Sequence, residues 1–176
     1  TAFMGGNLKD TYFKLKEYAK SNNKIISFDA NYRESLFGNN KEEFIKCCKE
    51  FIVDSNIVKL SEEEAKLISG IEDIKEASQY IVNLGCENLM VTLGKEGTLL
   101  SNREKQILIK TKEVKMKDAT GAGDAFIGAV IAQILNEPGK SMEKIVEMAN
   151  LVGGITTTKL GALESIPTWD EVFAYN

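Results

Sequence analysis

Apolar residues follow two different spacings along this chain, and the two spacings alternate. Helical spacing, with apolar residues three or four positions apart, covers residues 8–20, 42–53, 76–84, 122–135 and 141–156. We predict a helix at each of these five positions. No repeat, low-complexity tract or linker interrupts the sequence between them.

Short, continuous apolar runs lie between the predicted helices. They cover residues 25–28, 56–60 and 88–93, which we interpret as buried strands, and residues 98–101 and 106–109 predict a hairpin. Strands that alternate with helices require crossover connections, which produce a mainly parallel sheet covered on both faces. We therefore predict a layered α/β fold, whose ligands should bind beyond the carboxyl ends of the strands.

One helix boundary is especially clear. Ser61 is followed three residues later by Glu64, which is the spacing of a capping box, and Gly70 suits the end of the same helix. A helix cap alone explains this pair, so the spacing by itself assigns no chemistry to Ser61 or Glu64.

Net charge and the length of the apolar stretches indicate which classes of binding partner to expect. The chain has 176 residues, of which 43% are hydrophobic and 27% charged, with a net charge of −4. There is no basic surface pattern, and the longest apolar stretch, residues 125–135, is too short to cross a bilayer. We therefore expect neither a nucleic acid nor a membrane partner. The absence of histidine excludes Ser-His and Cys-His nucleophile systems and histidine metal sites within this chain.

The cysteines indicate a reducing environment. Cys47, Cys48 and Cys86 are odd in number, and their spacing matches neither a disulfide framework nor a zinc site. The first ten residues lack the basic and apolar regions of a signal peptide. We therefore expect a cytoplasmic protein.

The segment DATGAGDAFIG, residues 118–128, carries the strongest chemical signal. Gly121 and Gly123 allow a tight turn and bring backbone N–H groups close to a ligand, and an apolar helix begins there. The unpaired N–H groups and positive dipole end of such a helix form an anion site, for which phosphate is the natural occupant. Asp124 would repel a phosphate unless it had a role, such as taking the proton of an attacking hydroxyl.

Three other interpretations of this region are possible from the sequence. A dinucleotide fingerprint fails because Phe126 occupies the position of its third glycine. A phosphate loop ending at Gly139 fails because Ile134 stands where its first glycine is needed. The third interpretation, a glycine turn followed by an acidic helix start, needs no ligand at all.

The same segment resembles the C-terminal signature of the ribokinase-like (pfkB) carbohydrate kinase family. Four further segments resemble family motifs in the family's order, so the resemblance covers essentially the whole chain. They are SFDANYR (27–33), VKLSEEEA (58–65), VTLGKEG (91–97) and KLGALESIP (159–167). The D-x-N-x-R element and the serine at position 61 are most similar to fructokinase-like members.

The resemblance implies an ATP-dependent kinase that phosphorylates a hydroxyl of a small sugar. Asp124 would be the catalytic base, and the backbone of Gly121, Ala122 and Gly123 would form the anion hole. The nucleotide site would be lined by Thr92, Gly94, Gly97, Thr120 and Asn150. The sugar would contact Asp29, Asn31, Arg33 and Asp124.

Two cations are implied as well. Glu64 would help to organise Mg²⁺ and its waters. A monovalent cation, for which K⁺ is the candidate, would be surrounded mostly by backbone oxygens of Asp118, Thr120, Thr156, Lys159, Gly161 and Ser165. The resemblance also allows a homodimer of the full-length enzyme.

Nothing before SFDANYR resembles the N-terminal half of the family. We therefore expect residues 1–176 to be the C-terminal, nucleotide-binding and catalytic part of a single ribokinase-like domain. The three-layer α/β/α fold would lack its N-terminal half and β lid, and the chain alone would be inactive. Fructose or a related hexose is the expected acceptor, with 2-keto-3-deoxygluconate, ribose, a nucleoside or a sugar phosphate as alternatives. The alternative of a different class is a non-catalytic nucleotide-binding fragment.

Overall fold

A computed structural model describes residues 3, 5–37 and 40–175 of the chain. The chain divides into two compact units. Unit 1 comprises Thr1–Thr92 and Leu99–Ile107, and unit 2 comprises Leu93–Thr98 and Leu108–Asn176. The assignment of residues 1–176 to a single domain stays a prediction.

Unit 1 contains five helices and most of the sheet among its described residues. The helices are α1 (Gly6–Ser21), α2 (Glu34–Phe37), α3 (Lys41–Ile52), α4 (Glu62–Ser69) and α5 (Ile74–Asn83). The strands are β1 (Ser27–Asp29), β2 (Ile57–Ser61), β3 (Asn88–Thr92), β4 (Thr98–Ser101) and β5 (Gln106–Ile109), and the unit boundary runs through β4 and β5.

The five strands lie in the sheet in their order along the chain, from β1 at one edge to β5 at the other. β1 pairs with β2, and β2 with β3, in parallel register, with Asp29 opposite Lys59 and Ser61 opposite Thr92. Because the carboxyl ends of parallel strands meet at one edge of a sheet, the turns after β1, β2 and β3 leave from the same side. Ligand binding at this side of the sheet stays a prediction.

The core of unit 1 is formed by the central strands and the apolar face of α3. Val58 and Leu60 of β2 are fully buried, and the ring of Phe51 of α3 packs in a tilted arrangement against that of Phe28 of β1, with 5.1 Å between the ring centroids. All three cysteines are free and buried.

Unit 2 contains three helices among its described residues: α6 (Ala122–Asn136), α7 (Met142–Thr156) and α8 (Trp169–Ala174). α6 and α7 approach closely, since a Cβ atom at Gly153 of α7 would lie 3.3 Å from the carbonyl oxygen of Ala122. Among the described residues, no helix combines the length and hydropathy that crossing a membrane requires.

The first strand is shorter than the sequence predicted. It starts at Ser27, because the Asn56 side chain accepts the Ile26 N–H at 2.9 Å and takes the place of a ladder partner. Ile25 is correspondingly exposed. The short helices α2 and α8 were not predicted, since four and six residues are too few to show a helical period.

Candidate functional site

A largely buried ion pair lies at the carboxyl end of β1. Lys59 Nζ of β2 lies 3.3 and 3.2 Å from the two carboxylate oxygens of Asp29, whose backbone is its register partner. Burial raises the pKa of Asp29 above its usual value, although Lys59 and the Asn31 amide act in the opposite direction. Asn31 then adopts a left-handed backbone with φ +45°.

Glu64 joins this turn to the start of α4. Its Oε2 accepts the Ser61 N–H at 2.7 Å and the Ser61 hydroxyl accepts the Glu64 N–H, which confirms the predicted capping box. Its Oε1 accepts the Tyr32 N–H at 2.7 Å. Glu64 is only 7% exposed, so both of its oxygens already hold backbone amides of the two turns that follow β1 and β2.

The remaining members of the D-x-N-x-R element face solvent. Asn31 and Arg33 are exposed, and both line a cavity of about 380 Å³ that also contacts Asp29 and the Tyr12 ring of α1. A guanidinium group in this place can bind the carboxylate or phosphate of a ligand through two parallel hydrogen bonds.

In unit 2, the glycine turn before α6 is shaped by close contacts. Gly121 has φ +80°, and a Cβ atom there would lie 3.3 Å from the Ala162 backbone. The first helical hydrogen bond runs from the Ala125 N–H to the Gly121 carbonyl. The amides of Gly123 and Asp124 therefore precede the hydrogen-bonded part of the helix, whereas the Ala122 amide donates to Ala119 at 3.2 Å.

Asp124 occupies the third position of α6, and its side chain is exposed. A carboxylate at this point interacts favourably with the positive end of the helix dipole and remains accessible to a ligand. An anion bound at the Gly123 and Asp124 amides would lie beside this carboxylate, which would then be placed to accept a proton.

Asp118 connects the glycine turn to the loop that follows α7. Its Oδ1 accepts the Thr120 N–H and hydroxyl at 2.9 and 2.7 Å, and its Oδ2 accepts the Gly161 N–H at 3.0 Å. These hydrogen bonds hold the pKa of Asp118 below its usual value. The Thr157 carbonyl also accepts the amides of Lys117 and Asp118.

The two segments predicted to surround a monovalent cation are therefore adjacent within unit 2. The Ser165 hydroxyl donates to the Gly161 and Ala162 carbonyls at 2.6 Å, and the buried Thr156 hydroxyl donates to Val152. The Lys159 ammonium pairs with Glu171. The described residues contain no group of three acidic or cysteine side chains that could hold a metal. The monovalent-cation site that the resemblance implies among these backbone oxygens stays a prediction.

The loop after β3 is tightly turned at its two glycines. The Leu93 N–H donates to the Gly97 carbonyl at 2.8 Å, and Gly94 and Gly97 have φ +57° and +103°. A Cβ atom at Gly97 would lie 2.1 Å from the Ile109 carbonyl oxygen, so only glycine fits this position.

Two residues predicted to line the nucleotide site make internal hydrogen bonds instead of presenting free side chains. Asn150 of α7 donates to the Ile109 carbonyl at 2.8 Å and accepts from the Thr98 hydroxyl at 2.6 Å, and it is only 7% exposed. The Thr92 hydroxyl donates to the Leu60 carbonyl at 3.3 Å. Asn150 thus fixes the chain around Ile109, against which Gly97 packs.

Gly97 and Asn150 of unit 2 both contact the Ile109 carbonyl and form one local group. Two more groups contain other predicted residues. Unit 1 brings the D-x-N-x-R turn and Glu64 together, and unit 2 brings together the glycine turn, Asp118 and the 157–165 loop. Sequence reasoning missed Lys59, although a lysine inside the apolar run NIVKL was a visible signal.

Comparison with known proteins decides the family. The family description "pfkB family carbohydrate kinase" matches residues 2–169. The chain belongs to the pfkB family of carbohydrate kinases. This confirms the predicted family membership, and the match includes every segment on which the resemblance was based.

Relatives and solved structures of the family agree with this assignment. Fructokinase-1 of Oryza sativa subsp. japonica is 34% identical over 173 residues, covering 93% of this chain and 52% of the relative. A fructokinase double mutant from Vibrio cholerae O395, crystallised with fructose, ADP and potassium ion, superimposes with a TM-score of 0.93 at 28% identity and covers 99% of this chain and 57% of that one.

A sugar kinase from Pyrococcus horikoshii in complex with ATP superimposes with a TM-score of 0.81 at 33% identity, covering 99% of this chain and 54% of that one. These likenesses confirm the predicted ribokinase-like α/β fold with a mostly parallel central sheet. This pfkB-family chain spans about half the length of the curated relatives it matches.

Proposed function

We propose that this chain supplies the ATP-binding and catalytic part of an ATP-dependent sugar kinase, with fructose or a related hexose as the acceptor. The observation that carries the proposal is the start of α6. There an exposed carboxylate, Asp124, follows a left-handed glycine turn whose Gly123 and Asp124 amides precede the first helical hydrogen bond.

The proposed reaction uses the Asp124 carboxylate for proton transfer and the backbone amides for charge stabilisation. A sugar hydroxyl attacks the γ-phosphorus of ATP, its proton passes to the Asp124 carboxylate, and the bond from that phosphorus to the bridging oxygen breaks to release ADP. The amides at the start of α6 stabilise the charge on the transferring phosphoryl group. The Ala122 amide joins them only if its hydrogen bond to Ala119 opens.

Other predicted residues would support the nucleotide and the cations. Gly94 and Gly97 shape the loop that would border the nucleotide, and Asn150 would act by holding that region. Mg²⁺ would neutralise charge on the phosphates, with Glu64 reaching it through water, because both Glu64 oxygens already accept backbone amides. K⁺ would lie among the backbone oxygens near Asp118 and Gly161, and would brace the glycine turn.

The acceptor is assigned from the relatives and from Arg33. Fructokinases are prominent among the relatives, which supports fructose. The exposed guanidinium of Arg33 favours an acidic sugar or a sugar phosphate as the second candidate. Intact Asp124, Gly121 and Gly123 argue against a non-catalytic nucleotide-binding fragment.

Calorimetric titration of the chain with ATP and Mg²⁺ tests the phosphate site. We expect Gly123→Val to abolish detectable binding, because a branched side chain would stand between a phosphate and the first-turn amides. Gly128→Val is the matched control, since a Cβ atom at Gly128 meets nothing within 4 Å. Equal ATP affinity in the parent chain and in Gly123→Val would overturn the proposed phosphate site.

A further inference from the structure

The strand β2 contains a buried lysine. Lys59 is 8% exposed, whereas its neighbours Val58 and Leu60 are fully buried. Lysine is almost never fully buried unless it is paired, so a lysine between two core aliphatic residues requires an explanation.

The partner of this lysine is the carboxylate that ends β1. Asp29 and Lys59 are register partners in a parallel pair, so their side chains lie on the same face of the sheet. The Lys59 ammonium contacts both oxygens of Asp29 at 3.2–3.3 Å, and the two side chains are 10% and 17% exposed. The pair is therefore largely withdrawn from water.

A buried ion pair is in general weak evidence for a role in stability. Replacing a buried ion pair by well-packed apolar residues is often neutral or stabilising, because desolvation of the two charges offsets their attraction. An aliphatic residue at position 59 would also continue the apolar pattern of β2. Asp29 is also the first residue of the 29–33 turn, so the pair can act on that turn.

Two carboxylates lie at that turn: Glu64, which is buried, and Asp29, which is largely buried. The Asn31 amide interacts with the Asp29 carboxylate and acts to lower its pKa, and the left-handed backbone of Asn31 is unusual for a residue other than glycine. The next amide, that of Tyr32, donates to Glu64 at 2.7 Å. Asp29 and Glu64 repel each other across this turn, and Lys59 supplies the opposite charge on the Asp29 side.

We propose that Lys59 is a positioning residue for the 29–33 turn, acting through Asp29 to hold Asn31 and Arg33 in the orientation in which they meet the acceptor. Asp29 accordingly serves as the anchor of the turn, and Asn31 and Arg33 contact the ligand. What these two residues bind rests on the proposed function. The holding of the turn does not, and it can be measured without any ligand.

Amide hydrogen exchange of the 176-residue chain, followed by NMR, tests the proposal. In Lys59→Met we expect the Asn31 and Tyr32 amides to exchange faster by about tenfold or more, while the β3 amides of Leu89 and Met90 stay protected. The double variant Lys59→Met/Asp29→Asn should recover most of this protection. In the double variant no unpaired charge remains beside Glu64, so the repulsion that would disturb the turn is removed.

The matched control is Lys20→Met, which breaks another lysine–aspartate pair of the same unit. Lys20 and Asp54 lie 2.6 Å apart but are 52% and 47% exposed, so exchange at Asn31 should not change. The proposal is overturned if Lys59→Met leaves the Asn31 and Tyr32 exchange rates unchanged. Equal loss of protection in β3, without recovery in the double variant, also overturns it.

The double variant also tests the proposal in the case that Lys59→Met does not fold. If Lys59→Met does not fold, a folded double variant with a protected Asn31 amide supports the role of Lys59, and an unfolded double variant contradicts it. The titration of Gly123→Val with ATP is independent of these results, because Gly123 belongs to unit 2 and Lys59 to unit 1. Failure of one proposal is therefore distinguishable from failure of the other.

Discussion

Two of the acidic side chains assigned to the proposed site accept hydrogen bonds from backbone amides. Asp118 accepts hydrogen bonds from Thr120 and Gly161, and Glu64 accepts the amides of Ser61 and Tyr32. Asp124 differs from both, because it is exposed in the first turn of α6. This contrast separates the carboxylate proposed for proton transfer from those that shape the turns around it.

The hydrogen bonds to Asp118 predict a pH dependence of stability. They lower its pKa in the folded state, so the folded protein favours the ionised form more than the unfolded chain does. The resulting stability is present above the unfolded pKa of about 4 and is lost as pH falls through the lower folded value. Asp118→Asn should therefore unfold at lower urea concentration than the parent at pH 7.

Urea unfolding from pH 7 down to about pH 2.5 measures this difference, with Asp10→Asn on the exposed face of α1 as the control. We expect the gap between the parent and Asp118→Asn to shrink below about pH 4. A gap that stays constant over the whole range would contradict the assigned hydrogen bonds.

At the scale of elements, periodicity located the long helices and the central strands, and the Ser61–Glu64 spacing located the start of α4. The first strand was misjudged because the Asn56 side chain replaces a backbone partner of Ile26, which apolar patterning cannot reveal. The left-handed turn at Asn31 was not predicted either, because the neighbouring Tyr32 amide finds its acceptor, Glu64, in a helix that is distant along the chain.

The site was predictable to the extent that it depends on local sequence. The glycine turn and Asp124 occupy consecutive positions, so their geometry could be anticipated from the segment itself. The Lys59–Asp29 pair depends on strand register, which no local pattern specifies. The internal hydrogen bonds of Asn150 likewise join positions 41 and 52 residues away.

The loop after β3 gives a prediction at this scale. Gly97→Ala should destabilise the chain by about 2 kcal/mol or more, since its Cβ atom would meet the Ile109 carbonyl oxygen and its backbone is left-handed. Gly94→Ala is the control: its φ is also positive, but a Cβ atom there meets nothing within 4 Å. We expect it to lose only about 1 kcal/mol in urea unfolding. Equal losses for the two variants would show that the close approach to Ile109 is not a constraint.

At the scale of the whole molecule, the described part of the chain has an open sheet edge and an exposed apolar surface. It spans 52% of the length of its rice relative, and β1 forms an edge of the sheet. Tyr12, Leu15 and Ile25 are 43–58% exposed beside the cavity along β1. An open strand edge next to apolar surface favours association with another polypeptide segment.

We predict that the 176-residue chain alone does not phosphorylate sugars, because it spans about half the length of the relatives it matches and an acceptor hydroxyl would then lack part of its positioning groups. A coupled assay of ADP release, with hexoses, pentoses and sugar acids as acceptors, measures this. Sugar-dependent turnover at roughly the ordinary enzymatic rate of 1–1,000 per second would contradict the prediction. It would also place the acceptor site within these 176 residues.

The central claim is that Asp124 is the general base of a sugar kinase, and turnover of Asp124→Asn in a full-length form of the enzyme tests it most directly. The control is Asp170→Asn, which changes an exposed carboxylate in the first turn of α8. We predict that Asp124→Asn lowers kcat by about a hundredfold to ten-thousandfold with ATP affinity nearly unchanged, and that Asp170→Asn retains full activity. An Asp124→Asn enzyme that keeps more than about half of the parent kcat would contradict the assignment.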